Sequence, residues 1–148
     1  MALPSPAINT LKAFLSFVEL PQNRERRFEF VDGEVTEVPS NPYVSVIASR
    51  IIAFLTIHIM QKKLERHVTG EGGGYVIDGH VFAPDVAVVE DVPTNESYET
   101  VPPLLAVEVL SDPNNNTEQT DLRRKLAHYT RAGSTVWVVD YVARQVEV

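Results

Sequence analysis

Pro103-Leu104-Leu105-Ala106-Val107-Glu108-Val109-Leu110, taken with Ala83-Pro84-Asp85-Val86-Ala87-Val88-Val89, decides how this chain is read. Both stretches have the short apolar pattern of strands buried in a sheet. Each carries one acid: Glu108 is flanked on both sides by aliphatic residues, and Asp85 stands at the entry of its strand. An isolated charge among apolar neighbours is costly to bury without compensation. If the two strands are neighbours, their acids can meet and share a divalent cation, which removes that cost. Taken singly, each acid has an ordinary explanation, since an Asp after Pro often opens a strand and a lone Glu can face solvent.

Working outward, residues 90–102 are acidic, polar and flanked by proline, as in a surface loop joining the two acid-bearing strands. Upstream, Tyr75-Val76-Ile77 and His80-Val81-Phe82 surround Asp78-Gly79, and Phe28-Glu29-Phe30-Val31 and residues 34–38 surround Asp32-Gly33. Asp-Gly between alternating runs is a strong hairpin signal. The outgoing strand of the later hairpin leads directly to Asp85, and His80 within it reads as a bystander. Arg24, Arg26 and Arg27 precede the first hairpin as a solvated cluster, with phosphate contact as the alternative.

Pro42 opens the longest helix, predicted to run to about residue 67, and Asn9 or Thr10 caps a shorter one through Leu11, Phe14, Leu15 and Val18 that Pro21 stops. The short helix is expected to act as a lid on the core. The apolar surface of the long helix is wide enough to need a second neighbour beyond the sheet, either the first helix or another subunit. Arg50 at mid-helix argues against a membrane span. His58 is expected to be partly buried with a hydrogen-bond partner. Downstream of Leu110, Thr117 or Thr120 starts a helix whose inward stripe is Leu122, Leu126 and Tyr129. Lys125 lies along its edge, oriented either into water past the core or toward an acid, with Asp121 one turn earlier; Arg123 and Arg124 point away. Residues 135–140 form a strand and 145–148 begin another, where the chain reads as truncated. The result is a mixed sheet with helices on its faces, an α/β or α+β fold in a single domain over residues 1–148.

Composition narrows the chemistry. The net charge of -7 comes from the second half, the first half being close to neutral, so a general electrostatic grip on nucleic acid is disfavoured while a local basic groove is not. Absence of cysteine removes disulfides, thiolate metal sites and a Cys nucleophile, and fits a cytoplasmic location. Residues 1–10 lack the apolar run of a secretory signal. Thr69-Gly70-Glu71-Gly72-Gly73-Gly74 lacks the Lys-Ser or Lys-Thr of a phosphate loop and is a flexible joint.

The ordered set Val31-Asp32-Gly33-Glu34, Ala83-Pro84-Asp85-Val86-Ala87, Val107-Glu108-Val109-Leu110-Ser111, Lys125-Leu126 followed by Tyr129, and Val136-Trp137-Val138-Val139-Asp140 resembles the putative restriction endonucleases that are greatly expanded in cyanobacteria. That family belongs to the PD-(D/E)xK nuclease superfamily, and the likeness runs from Phe28 onward. It implies a restriction-endonuclease-like core and a Mg²⁺-dependent endonuclease acting on DNA, with Mn²⁺ as a substitute ion. Asp85 and Glu108, with a backbone carbonyl at Val109, are implied as metal ligands, and Glu34 as a further carboxylate. The superfamily lysine two residues after the Glu is replaced by Leu110, and the resemblance implies that Lys125 has taken over its role. A homodimer away from membranes is expected. The competing expectations are a non-catalytic module of the same fold and a nuclease-fold component that acts only with a partner chain.

Overall fold

The computed structural model describes residues 7–38, 41–94 and 98–148; part of the predicted 90–102 loop lies outside the described residues. Nine strands among the described residues form two sheets. The smaller is built from the two predicted hairpins, β1 (Phe28–Val31) with β2 (Glu34–Glu37) and β4 (Tyr75–Ile77) with β5 (His80–Phe82), in the order β2-β1-β5-β4. Each hairpin closes on its Asp-Gly pair with positive φ at both positions, 52° and 79° at Asp32-Gly33 and 51° and 77° at Asp78-Gly79. That is the turn whose twist matches antiparallel strands, and glycine takes its second position without strain. Helix α1 (Leu11–Val18), capped by Thr10 accepting from the Ala13 amide at 3.1 Å, covers this sheet. Phe14 is fully buried and stacks on Phe30 with ring centroids 5.4 Å apart.

The larger sheet contains β3 (His67–Thr69), β6 (Val86–Val89), β7 (Leu105–Val109), β8 (Thr135–Asp140) and β9 (Gln145–Glu147), in the order β3-β6-β7-β8-β9. Only β7 and β8 run parallel, and α3 (Asn116–Arg131) makes the crossover between them. The mixed α+β fold is therefore as expected, with its strands divided between two sheets. Alternation along β7 sorts its side chains between layers: Val107 and Val109 pack with α2 (Pro42–Gln61), whereas Ala106 and Leu110 join the core that includes Leu122 and Tyr129 of α3.

Several local expectations are corrected. The long helix stops at Gln61, because Lys63 adopts a left-handed conformation with φ of 53°, letting the Leu64 amide reach the Ile59 carbonyl and the Lys63 amide the Met60 carbonyl. This is a Schellman stop made with lysine in the usual glycine position, and it frees residues 67–69 to form β3. The start of α3 is set by Asn115, whose side chain accepts from the Thr117 and Glu118 amides, so neither Thr117 nor Thr120 is the cap. His58 is exposed on α2 and not partly buried.

The inner face of α2 is anchored by buried Val44 and Ala48, but Val46, Phe54, Ile57 and Met60 are left exposed, Phe54 at 73%. The helix is long and apolar enough to cross a membrane by length and composition alone.

Candidate active site

Register brings the two acids of the opening stretches together. Val86 pairs with Val107 and Ala87 with Ala106 across the antiparallel β6–β7 ladder, so one further step places Asp85 opposite Glu108. Asp85 alternates with Ala87 and Glu108 with Ala106, putting both on the α3 side of the sheet. The Val109 amide donates to Asp85 Oδ2 at 2.7 Å, which fixes the Asp85 carboxylate against the neighbouring strand.

Lys125 comes down onto this pair from α3. Its Nζ lies 3.1 Å from Glu108 Oε2 and 3.2 and 3.3 Å from the two oxygens of Glu29. The other oxygen of Glu108 accepts from the Tyr129 hydroxyl at 3.1 Å. Glu29 also accepts from the Ala83 amide at 2.9 Å, tying β1 of the small sheet to the bend that carries the chain from β5 to Asp85. Glu29, Asp85, Glu108 and Lys125 form the floor of a cleft of about 380 Å³, with Tyr129 buried beneath it. Glu34 lies higher, at the exposed mouth, paired with Arg124 at 2.8 Å. Arg124 therefore faces the cleft instead of pointing away, because the β1–β2 hairpin reaches across to α3. The position two residues after Glu108 is a core leucine, Leu110, 6% exposed. Asp121 lines the cleft, yet the partners of Lys125 among the described residues are Glu29 and Glu108.

Glu29 and Tyr129 are the parts of this arrangement that sequence reasoning missed as site residues. Glu29 alternates with Phe28 and Phe30, which pack under α1, so the face opposite the phenylalanines reads as solvent-facing. A signal was present in Val31, an apolar residue on that same opposite face, which packs into the α3 core. Tyr129 reads as part of the inward apolar stripe, which it is, but its hydroxyl needs a buried acceptor and finds Glu108.

Three carboxylates, Glu29, Asp85 and Glu108, thus line one floor whose single ammonium group pairs with Glu29 and Glu108. Burial, partly opposed by Lys125, pushes the Glu108 carboxyl up to about 8. Asp85 is raised by burial against the opposing pull of the Val109 amide. Burial works to lower the Lys125 pKa, but Glu108 and Glu29 outweigh it and hold the ammonium above its ordinary range. The Tyr129 hydroxyl is raised well above its usual value by burial and by Glu108, so it stays a hydrogen-bond donor. The floor is consequently short of positive charge and has only oxygen donors to offer a cation.

The remaining charged motifs sit elsewhere. Arg26 pairs with Glu37 at 2.7 Å and Arg27 with Glu71 at 3.4 Å, so two cations of the basic lead are matched within the fold. His80 does not line the cleft; alternation turns it to the Phe82 side of β5, where it contacts Asp32 and His128.

Comparison with known proteins adds to this geometry. The family model Uma2, described as putative restriction endonuclease, matches residues 14–148. Among solved structures, a putative nuclease belonging to DUF820 from Anabaena variabilis superposes with a TM-score of 0.68 at 20% identity, covering 88% of this chain and 73% of that one. At that identity the likeness concerns the fold. No curated protein matches this chain.

Proposed function

Because the chain belongs to the Uma2 family of putative restriction endonucleases, we propose that it is an endonuclease hydrolysing DNA phosphodiester bonds with Mg²⁺, or Mn²⁺ in its place. The observation that carries this reading is the Lys125 ammonium set between Glu29 and Glu108, with Asp85 opposite Glu108 across the ladder. Asp85, Glu108 and the Val109 carbonyl would hold the ion. Their oxygen-only set suits a hard cation better than zinc, and the upward displacement of the Glu108 carboxyl marks a floor that lacks positive charge. Once bound, such an ion acidifies water in its shell and balances charge on phosphoryl oxygens.

The chain's own groups do the rest. Lys125, kept protonated, donates to the water or phosphoryl oxygen that carries developing negative charge, the task a lysine two residues after Glu108 would otherwise perform. Glu29 aims Lys125 and pins Ala83, so it sets the position of Lys125 and of Asp85 together. Tyr129 fixes the rotamer of Glu108 by donating to Oε1. Arg124 at the mouth is a half-exposed cation within reach of a DNA phosphate, and Glu34 holds it until substrate arrives. In this reading Glu34 acts on Arg124 and substrate entry; its role as an additional metal carboxylate would require that pair to open.

The test is a calorimetric Mg²⁺ titration to millimolar metal on the wild type, Asp85→Ala and Glu108→Ala, with plasmid cleavage followed in parallel and folding checked by circular dichroism. Binding and cleavage should both disappear in the two folded variants. Metal binding that is unchanged in both variants would mean the acids are structural, and the protein a non-catalytic module of the same fold.

For quaternary structure we propose a homodimer through the outer face of α2, where Val46, Phe54, Ile57 and Met60 lie open although the opposite face is packed on the sheet. Light scattering should give twice the chain mass for the wild type and a single chain for Phe54→Glu. A monomeric wild type at tens of micromolar would refute it.

A further inference from the structure

Away from the carboxylate floor, the two Asp-Gly hairpins and α3 converge on a second group of side chains, Asp32, His80 and His128. One potential ligand atom from each lies within 4.8 Å of the others. His128 Nε2 is 2.8 Å from Asp32 Oδ1, and His80 Nδ1 is 4.0 Å from the same oxygen. The two imidazole rings lie with centroids 3.9 Å apart, and Phe82 closes the inner side at 5.8 Å from the His128 ring. The side chain of Asp32 is 41% exposed, so the outer side is open.

We propose that Asp32, His80 and His128 form a binding site for a divalent transition-metal ion of the zinc, cobalt or nickel type, separate from the carboxylate cleft. Bonds of about 2.0–2.2 Å in a tetrahedral arrangement separate neighbouring ligand atoms by about 3.3 Å. The 2.8 Å contact has to widen and the 4.0 Å contact to shorten, each by less than an ångström. Both movements are side-chain rotations. His80 Nδ1 accepts from the Asp32 amide at 3.1 Å, so this nitrogen is the unprotonated one and would exchange that hydrogen bond for the ion. In the metal-free protein His128 Nε2 donates to Asp32 Oδ1 at 2.8 Å, and since Nδ1 is buried with no hydrogen-bond partner among the described residues, no neighbour holds a proton off Nδ1 when an ion takes Nε2. Two imidazoles and one carboxylate with an open outer position prefer zinc-like ions to magnesium, the reverse of the all-oxygen floor. The nearby charges of Asp78 and Arg131 act on His80 with opposite signs.

The position of the site gives it a consequence. Asp32 lies three residues beyond Glu29 on the β1 side, and His128 lies three residues beyond Lys125 on α3. An ion there would clamp together the two elements whose side chains meet at the cleft floor. The inference is independent of the nuclease reading and stands or falls separately.

The experiment is a Zn²⁺ titration of the metal-stripped full chain in excess Mg²⁺, by calorimetry, with Co²⁺ visible absorption as a second readout. Wild type and Asp85→Ala should each bind one equivalent, with a rise in Tm of about 5–10 °C at a hundredfold excess over Kd. His80→Gln and His128→Gln should lose at least about tenfold in affinity and most of the Tm rise. If His128→Gln does not fold, His80→Gln decides alone, since its side chain is nearer the surface. Absence of Zn²⁺ binding to the wild type, unchanged affinity in the folded histidine variants, or loss in Asp85→Ala with retention in His80→Gln would each overturn the proposal.

Discussion

Lys125→Ala is expected to destabilise the metal-free protein by about 3–5 kcal/mol and to lower the rate of DNA cleavage by at least about a hundredfold. The stability loss follows from what the truncation leaves behind. The side chains of Lys125, Glu29 and Glu108 are only 14, 11 and 9% exposed, so removing the ammonium strands the Glu29 carboxylate and takes a hydrogen-bond partner from Glu108 in a poorly solvated site. Urea unfolding at neutral pH measures the first effect, and single-turnover cleavage at saturating Mg²⁺ measures the second. A double variant, Lys125→Ala with Glu29→Gln, separates the two roles. It removes one stranded charge and should recover part of the stability while leaving cleavage low. If a folded, stable Lys125 variant cleaves DNA within tenfold of wild type, the lysine is a structural counterion and the catalytic assignment fails.

How much of this was legible depends on whether the signal was local. The hairpins were readable because Asp32-Gly33 and Asp78-Gly79 dictate backbone conformation within two residues, and the structure has positive φ at all four positions. The paired acids were readable as candidates because Glu108 interrupts an apolar strand, an inconsistency that calls for a partner. The α2 end was not readable, since Lys63 occupies a left-handed position that sequence reserves for glycine or asparagine. Glu29 was missed for a nonlocal reason. Its strand has one face under α1 and the other against the α3 layer, and no residue near Glu29 reports that the second sheet lies there. The Asp32, His80 and His128 group depends on three segments meeting, and none of the three residues is unusual in its own neighbourhood.

The Glu108 carboxyl, pushed by burial up to about 8, makes the stability of the metal-free protein fall as pH rises across neutrality. The unfolded chain releases this proton near the ordinary glutamate value of about 4.3, whereas the folded chain keeps it until about 8. Between those limits the native state binds more protons than the unfolded state, so stability is full below the lower value and is lost progressively toward the upper one. At about 1.4 kcal/mol per pH unit, wild type should lose about 2 kcal/mol between pH 6 and pH 8, a fall in Tm of about 4–8 °C. Glu108→Gln keeps the neutral form at every pH and should flatten that slope. Taking the difference between the two proteins cancels the histidines, which also titrate in this window. Mg²⁺ should act in the opposite direction on the wild type alone: an ion bound at Glu108 displaces the proton, so its stabilisation grows from pH 6 to pH 8. Calorimetric binding heats should then vary with the ionisation heat of the buffer in a way that reports proton release. Equal pH slopes for wild type and Glu108→Gln in the absence of metal would show that Glu108 is already ionised at neutral pH, with Lys125 compensating it fully. In that case the floor would lack the deficit of positive charge on which the proposed ion site depends.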